Sequence, residues 1–519
     1  MTVEKVIEHI RLYCCGEQDS IVVLDGILEE YMQNSLEYRK HNGLLLARKV
    51  VGFLIENESN LEDYYYLFSF LFQANEDINL YKDFLQSCIE DEYLDLENRF
   101  FVYQQCNRYN FLNTVMVDDE VKSMMDILYS NTYEMFLNEL KDDLVYIPKE
   151  DRNEDFVVVF TTQVLNEGHA PTKTLIDRCA VLERTMNKKV FIINTAELMT
   201  FNGAIKMFRM CTGRYVEEYS DVNKLPIRNY EFDFFQCPNT MPQIPIIKEI
   251  ISVIKSEKPY FILTIGGNSV VSDICSKIVP TITIGTVFSG RAVTRGQFQA
   301  IGRKINDEDR AWLSLHGYEE DHIIESFFTF VFKEQKHIYT KKQLKFPDNR
   351  FVVALIGGRL GEEVDDKCTE LLIKLVEKGA FITLIGVFDH YKEYVEKYPQ
   401  LKGNSSYLGF QDDVLAILDH CDLYVNPKRK GGGSSASEAL FKGVPVVSMN
   451  YGDVAVAVGS DFCVSDWKEM QEKCVQYMED KEYYKMMSQK AQERAALLTD
   501  SDTAFVKIIE EAEKRKGFQ

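Results

Sequence analysis

The sequence predicts an α/β protein in which two Rossmann-like lobes follow an N-terminal helical domain. From about residue 155, short β-rich runs alternate with helical stretches, as in a parallel sheet covered by helices. A second set of such runs follows Pro347. The first 150 residues show few strand signals and carry apolar residues at helical spacings of three and four. The predicted strands are residues 156–160, 190–193, 261–265 and 282–284 in the first lobe, and 351–356, 381–385, 423–425 and 444–448 in the second.

These elements divide the chain into four predicted segments. Residues 1–150 form a helical domain, 151–345 the N-terminal lobe, 346–495 the C-terminal lobe, and 496–519 a C-terminal helix. A stretch rich in charges and aromatics, about residues 305 to 347, contains or borders the linker between the lobes. The helical domain has no consistent period of about 34 residues, so a tetratricopeptide array is unsupported.

Composition excludes several classes of protein. The chain has 519 residues, of which 45% are hydrophobic and 27% charged, so it can build two or three globular cores. Its formal net charge of −22 argues against a general nucleic-acid binder. No apolar run reaches the roughly eighteen residues of a membrane span, and the N-terminus does not resemble a signal peptide. The twelve cysteines lack CxxC pairs and metal-like spacing, which predicts free thiols in the cytoplasm and no metal site.

The most informative segment is residues 422–447, which reads as strand, glycine-rich loop, helix and strand. Ser434 or Ser435 can cap the helix, Gly443 can take the left-handed position after its end, and Pro445 stops it. Glycines that let the backbone approach closely, followed by a helix N-terminus, form a phosphate-binding arrangement. The run Lys428-Arg429-Lys430 adds positive charge nearby.

Glu438 lies on the first turns of that helix, where its carboxylate could accept hydrogen bonds from both hydroxyls of a ribose. The segment resembles the GT-B glycosyltransferases, whose C-terminal lobe carries a proline-ended strand, a Gly/Ser loop and a helix reading Glu-Ala followed by Gly-x-Pro-Val. The resemblance covers residues 350 to 460. A plain strand-to-helix connection, with Glu438 at the helix N-terminus, is the structural alternative.

The resemblance implies further donor contacts. Arg359, in the loop after the first strand of the lobe, could hold the diphosphate and stabilise the leaving group, or be an ordinary surface arginine. Phe410 matches the position that contacts the base, with core packing as the alternative. Retaining members carry two glutamates with seven residues between them, but Lys430 occupies the first position here, which leaves the stereochemical outcome open. The residues expected to hold the donor are Gly357, Gly358, Phe410, Asn426, Lys428, Gly432, Gly433, Ser434, Ser435 and Glu438.

The acceptor side is expected in the N-terminal lobe. His169 follows the first strand and is the candidate general base, with Glu167 as the fallback, since ligands sit beyond the carboxyl ends of parallel strands. A helix-start hydrogen bonder is the alternative role for His169. The glycine turn of Gly266, Gly267 and Asn268 is expected to line the same cleft. Catalytic roles are therefore assigned to His169, Arg359 and Glu167.

The function predicted from the resemblance is metal-independent transfer of a sugar from a nucleotide sugar, a UDP-sugar, to an acceptor. No cofactor is expected, because the nucleotide sugar is the substrate. The helical domain resembles the block found in bacterial cytoplasmic enzymes that glycosylate polypeptides, which suggests a protein or a protein-linked glycan as acceptor; a structural cap is the alternative. A catalytically silent GT-B partner subunit and a nucleotide-sugar epimerase are the competing functions. The sequence allows a homo-oligomer without requiring one.

Overall fold

A computed structural model describes residues 1–17, 21–57, 61–199, 205–211, 213–287, 290–327, 329–332 and 334–519. In these described ranges, seven α-helices lie within the first 140 positions, and α-helices and β-strands alternate afterwards. The helices are α1 Val3–Cys14, α2 Ile21–Met32, α3 Leu36–Glu56, α4 Leu61–Asn75, α5 Ile78–Glu90, α6 Leu96–Leu112, α7 Asp119–Leu140, α8 Ala170–Arg184, α9 Ile244–Glu257, α10 Val270–Cys275, α11 Asp307–His316, α12 Lys341–Leu344, α13 Leu360–Glu363, α14 Asp366–Glu377, α15 Tyr391–Lys397, α16 Val414–Leu418, α17 Gly433–Phe441, α18 Gly452–Val458, α19 Trp467–Glu479, α20 Lys481–Thr499 and α21 Ser501–Glu513.

The strands form two sheets, of eight and six strands. They are β1 Phe156–Thr161, β2 Lys189–Asn194, β3 Lys224–Ile227, β4 Tyr230–Gln236, β5 Ile262–Ile265, β6 Thr281–Ile284, β7 Phe298–Ile301, β8 Ile323–Glu325, β9 Val352–Gly357, β10 Phe381–Gly386, β11 Ser405–Gly409, β12 Leu423–Val425, β13 Val446–Met449 and β14 Cys463–Val464.

The six-stranded sheet has the strand order of a Rossmann fold, β11-β10-β9-β12-β13-β14. All of its described strand pairs are parallel, and its central strands are buried on both faces. The eight-stranded sheet runs β3-β4-β2-β1-β5-β6-β7-β8, and only the β3–β4 pair is antiparallel among its described pairs. The predicted fold class, two Rossmann-like lobes behind a helical region, is therefore correct.

The described chain divides into two compact units. The first comprises residues 1–176, 188–281 and 293–296, and the second comprises 177–187, 282–292 and 297–519. Strands β9 to β14 and their helices surround a hydrophobic core of their own within the second unit. No helix in the described ranges is long and apolar enough to cross a membrane.

Within the first unit, the N-terminal helices share one hydrophobic core with the strands. Buried aromatics of α4 to α7, such as Phe72, Phe100 and Tyr129, belong to the same cluster as Val158 and Phe160 of β1. Burial of apolar surface is the main favourable term in folding, so these helices and strands stabilise each other. The helical region is thus joined to the first sheet by packing, and the sequence boundary near residue 150 does not separate two cores.

The strands predicted from apolar runs are all present, within two residues of their expected ends. Six further strands were not predicted: β3, β4, β7, β8, β11 and β14. The stretch predicted to contain the linker includes helix α11 and strand β8, which pairs with β7. The predicted C-terminal helix is also two helices, because Asp500 ends α20 and caps α21 by accepting a hydrogen bond from the N–H of Thr503.

Candidate active site

The predicted donor residues gather at the point where the strand order of the six-stranded sheet reverses. β9 pairs with β10 on one side and with β12 on the other, and the chain moves outwards from both. Ligands of such sheets bind beyond the carboxyl ends of the strands at this switch point. Gly357 ends β9 and Arg359 follows it, whereas the glycine-rich loop follows β12. The structure therefore brings the two predicted donor loops to one edge of the sheet.

The glycine-rich loop leads directly into α17. Gly432 is the N-cap residue with a φ of 106°, a left-handed conformation that favours glycine, and the helix begins at Gly433. The prediction that Ser434 or Ser435 caps the helix is wrong, because both lie inside its first turn. The hydroxyl of Ser435 donates to the Gly432 carbonyl at 3.1 Å, while Ser434 is exposed. The first N–H groups of the helix consequently face the loop without intrahelical partners.

Arg429 stabilises the loop from inside the protein. Its Nε donates to Oδ1 of Asn426 at 2.9 Å, and Nη2 donates to the Ile356 carbonyl at 2.7 Å and to the Tyr424 hydroxyl at 2.8 Å. Its Nη1 forms an ion pair with Oε2 of Glu363 at 2.7 Å. Arg429 thereby joins the ends of β9 and β12 to α13.

The positive charge that Arg429 adds near the loop is buried and paired. The residue is 8% exposed and its charge is paired with Glu363. Burial by itself would lower the pKa of Arg429, but Tyr424 and Glu363 raise it above the ordinary value. Gly357 and Gly432 lie against the guanidinium, where a Cβ atom on either residue would collide with it. Both glycines are thus needed for packing around Arg429.

Asn426 also has a structural place. It is 1% exposed, donates from Nδ2 to the Ser448 hydroxyl at 3.1 Å and accepts from Arg429. Its side chain therefore positions Arg429 instead of facing solvent, unlike the donor contact expected from the sequence.

Other predicted donor residues are accessible. Arg359 has a side chain 41% exposed, and its Nη2 lies 3.3 Å from Oε1 of Glu363, so Glu363 holds both arginines. Lys428 is exposed, with Nζ 5.7 Å from the centre of the Tyr451 ring. Glu438 lies on the second turn of α17 and is half-buried. Phe410 is 70% exposed, which rules out core packing as its role.

In the first unit, His169 lies just before α8 and is held by the first turn of that helix. Its Nδ1 is 2.9 Å from the hydroxyl of Thr172, which is fully buried and also accepts from the Leu165 N–H at 3.0 Å. Burial lowers the pKa of His169, and the positive charge of Arg214 lowers it further. Both effects favour a neutral imidazole, whose Nε2 could accept a proton.

The other predicted acceptor residues are engaged in local structure. Oε1 of Glu167 accepts the N–H of Arg228 at 2.9 Å, so Glu167 holds the β3–β4 turn. Gly266 and Asn268 both have left-handed conformations. The Asn268 carbonyl accepts from Nε2 of Gln104 at 3.1 Å, and its side-chain oxygen accepts from the Tyr103 hydroxyl. Helix α6 therefore holds the glycine turn of Gly266, Gly267 and Asn268.

Sequence reasoning missed Glu197, a fully buried carboxylate behind the same turn. It accepts from the hydroxyls of Thr195 and Ser269, at 2.7 and 2.5 Å, and from the Val271 N–H at 3.1 Å. Burial raises the pKa of Glu197 to about 7, against the opposing effect of these hydrogen bonds. Nothing in its local sequence signals burial, since it follows a strand end like many surface glutamates.

Comparison with solved structures identifies the fold. The chain aligns over its full length with 98% of a variant of the O-GlcNAc transferase of Thermobaculum terrenum, at 10% identity and a TM-score of 0.50. A glycosyltransferase from Rickettsia africae aligns with 70% of this chain and 98% of its own, at 11% identity and a TM-score of 0.49. Anabaena HepE, in complex with UDP, aligns with 69% of this chain and 100% of its own, at 14% identity and a TM-score of 0.47. No curated protein sequence matches significantly. The class defined by fold and site is that of the GT-B proteins.

The activity follows from the second lobe. Residues 340–494 match the family model of the glycosyl transferases group 1. The matched region contains β9 to β14, Arg359, the glycine-rich loop and Glu438. The chain is therefore a glycosyltransferase with the GT-B fold.

Proposed function

We propose that the enzyme binds a nucleotide sugar, a UDP-sugar, at the β9–β12 switch point and transfers its sugar to a hydroxyl acceptor. The observation that carries this proposal is the convergence of Arg359, the glycine-rich loop and Glu438 at the edge where Rossmann folds bind nucleotides. The UDP bound by Anabaena HepE suggests the nucleotide.

In the donor complex that we propose, the diphosphate lies against the N–H groups of Gly433 and Ser434. The helix dipole and the cations of Arg359 and Lys428 offset its charge, so transfer proceeds without a metal. The carboxylate of Glu438 accepts hydrogen bonds from the ribose hydroxyls, and Phe410 offers its exposed ring to the base. Arg429 contributes to this complex indirectly, because its buried hydrogen bonds hold the glycine-rich loop in its conformation.

The proposed reaction is a displacement at the anomeric carbon. The acceptor oxygen forms a bond to this carbon as the bond to the β-phosphate oxygen breaks, and the nucleoside diphosphate leaves with the electron pair. His169 Nε2 takes the proton of the acceptor hydroxyl. Arg359 stabilises the charge that develops on the leaving diphosphate.

The acceptor that we propose is a polypeptide or a protein-linked glycan, as the helical region ahead of the lobes suggests. The cytoplasmic location inferred from the cysteines and the absence of a cofactor belong to the same proposal.

The donor site is tested by titration calorimetry and thermal shift with UDP, GDP, ADP, CMP and their sugar conjugates. A ligand at about 100 times its Kd stabilises the native state by about 2.7 kcal/mol, so selective stabilisation identifies the donor. Glu438→Ala should weaken UDP binding at least about tenfold, because hydrogen bonds to a charged group contribute roughly 1.5–3 kcal/mol. Its unfolding temperature should stay near that of the wild type.

The matched control is Glu370→Ala, which removes an exposed glutamate from α14 in the same lobe and should leave UDP affinity unchanged. Equal affinity of the Glu438→Ala and wild-type proteins for UDP would remove Glu438 from the ribose role. Stabilisation by none of the nucleotides would contradict the donor proposal as a whole.

A further inference from the structure

The first unit contains an open cavity of about 550 Å³ at the carboxyl ends of its strands. Asn166 follows β1 and Asn239 follows β4, while a segment between β2 and β3 closes the opposite wall. The side chains that matter for its chemistry are Asn166, Arg214, Tyr215, Glu217, Tyr219 and Asn239. The volume lies within the range of about 300–1,000 Å³ typical of small-molecule pockets.

The cavity lies next to His169. The backbone N–H of His169 donates to the Asn166 carbonyl at 3.1 Å. Arg214, on the opposite wall, is close enough for its charge to lower the pKa of His169. A ligand held between Asn166 and Arg214 would therefore be near the proposed base.

The aromatic walls are fixed by hydrogen bonds. The Tyr215 hydroxyl donates to the Cys237 carbonyl at 3.0 Å, and the Tyr219 hydroxyl donates to the Leu165 carbonyl at 3.4 Å. The Tyr219 ring also packs edge-on against Phe234, with 6.1 Å between centroids. Two rigid rings can cover the apolar face of a ligand with little loss of entropy on binding.

The backbone of this wall is fixed as well. Nε2 of Gln163 donates to the Arg214 carbonyl at 2.8 Å, and Nε2 of Gln236 donates to the Val216 carbonyl at 2.9 Å. Both glutamines lie at or just beyond the ends of strands, so the sheet itself holds the wall in place. These hydrogen bonds all lie within the protein, so the cavity wall is formed in the absence of a ligand.

Polar groups line the same cavity. Within the described ranges, the side chains of Arg214 and Asn239 have no hydrogen bond or ion pair. Asn166 uses Oδ1 to accept the Gly168 N–H at 2.9 Å, which directs its amide hydrogens elsewhere. Glu217 adds a carboxylate, so the cavity offers both donors and acceptors in planar groups.

We propose that this cavity binds the sugar residue whose hydroxyl accepts the transferred sugar, so that the acceptor is a glycan. Pyranose rings combine an apolar face with pairs of adjacent hydroxyls, which matches fixed tyrosine rings beside planar amide, guanidinium and carboxylate groups. A cavity of about 550 Å³ has room for one or two such rings, whereas an extended peptide is bound along a groove or a strand edge. The inference rests on the proposed function and specifies its acceptor.

The test uses the full-length chain with saturating UDP and a panel of methyl glycosides of glucose, galactose, mannose and N-acetylglucosamine. Saturation-transfer NMR detects binding, and titration gives the affinity. At least one glycoside should bind the wild type, and the double variant Arg214→Ala, Asn239→Ala should bind it at least tenfold more weakly. The matched control is Arg48→Ala, which removes an exposed arginine of α3 and should bind the same glycoside as the wild type does.

UDP affinity, measured separately, distinguishes the two proposals. Unchanged UDP affinity with weakened glycoside binding in the double variant supports the glycan site. No glycoside binding by a wild type that binds UDP, or glycoside binding that the double variant leaves intact, would overturn it. Binding of a serine- and threonine-rich peptide that this variant abolishes would assign the cavity to a polypeptide instead. A wild type that binds a glycoside but does not bind UDP would contradict the donor proposal, and weaker glycoside binding by the double variant would still support the glycan site.

Discussion

His169 illustrates how the surroundings of one residue prepare it for a role. A general base has to be unprotonated at the pH of the reaction. Burial and Arg214 both disfavour the imidazolium form, and the hydroxyl of Thr172, 2.9 Å from Nδ1, restrains the ring. The same side chain in open solution would be half protonated near pH 6.5.

His169→Ala should therefore reduce the transfer rate at least about a hundredfold, the usual contribution of a general base, without changing UDP affinity. In the wild type, kcat/KM should fall with decreasing pH only below about 6.5, because the pKa of His169 is lowered. Arg214→Ala should move this acid limb to higher pH, since removing the cation favours the imidazolium. The measurements are pH profiles of transfer and calorimetry with UDP.

The control for this prediction is His41→Ala, which removes an exposed histidine of α3 and should leave the transfer rate and its pH profile unchanged. Full transfer activity of His169→Ala would eliminate His169 as the base. Glu167, held at the β3–β4 turn by Arg228, would then be the next residue to test.

At the scale of elements, the glycine-rich loop depends on a buried charge, that of Arg429. Arg429 links β9, β12 and α13. Gly357 and Gly432 lie too close to its guanidinium to carry a side chain. A buried ion pair costs desolvation when it forms, but breaking it leaves an uncompensated charge inside the protein. The loop is thus held in its conformation before any nucleotide binds.

Arg429→Met should destabilise the second lobe by about 3–5 kcal/mol, because Glu363 loses its buried partner and keeps only the partly exposed Arg359, 3.3 Å away. Denaturant unfolding monitored by circular dichroism measures this change. Adding Glu363→Gln to the Arg429→Met variant should restore part of the loss, since the carboxylate that has lost its buried partner is then neutral. A variant Arg429→Met as stable as the wild type would show that the pair does not support the loop.

At the scale of the whole chain, the two hydrophobic cores differ in how far along the sequence they reach. The core of the first unit combines α1 to α7 with strands that begin at residue 156. Among the described residues, the buried members of the core around β9 to β14 lie between 344 and 498, and the partly buried Phe330 and Tyr339 pack against it. The stability of a domain increases with the apolar surface that it buries. We therefore expect a fragment that keeps its whole core to fold, and one that loses part of its core to unfold.

Deletion of residues 1–140 should prevent folding of the first sheet, since its N-terminal packing partners are lost. A fragment of residues 334–499 should in contrast unfold cooperatively and bind UDP. Thermal unfolding and hydrogen exchange compare the two fragments with the full chain. A soluble 141–519 fragment with a protected first sheet would show that the helices only cover a sheet that is stable without them.

The sequence alone predicted features that depend on neighbouring residues. Continuous apolar runs such as 156–160 and 381–385 predicted buried parallel strands, and the glycine-rich run after Val425 predicted a strand, a loop and a helix start. The strands that were missed are mostly short, such as β14 with two residues, or belong to the β3–β4 hairpin, whose antiparallel pairing no alternating βα pattern signals. Local periodicity carries no information on such pairing.

Tertiary structure decided which charged residues of the glycine-rich loop are exposed and which support the fold. The local sequence does not distinguish Lys428, Arg429 and Lys430, yet Arg429 is buried. Its partners Ile356 and Glu363 lie 73 and 66 residues away along the chain, so only the folded structure reveals this burial. The roles of Tyr103 and Gln104 in holding Asn268 likewise join residues about 165 positions apart. Sequence patterning determined the two lobes and the donor loop, since those follow from local conformation and periodic burial. Contacts between segments that are distant in the sequence determined which charges of the loop are exposed. Such contacts also form the walls of the cavity beside His169.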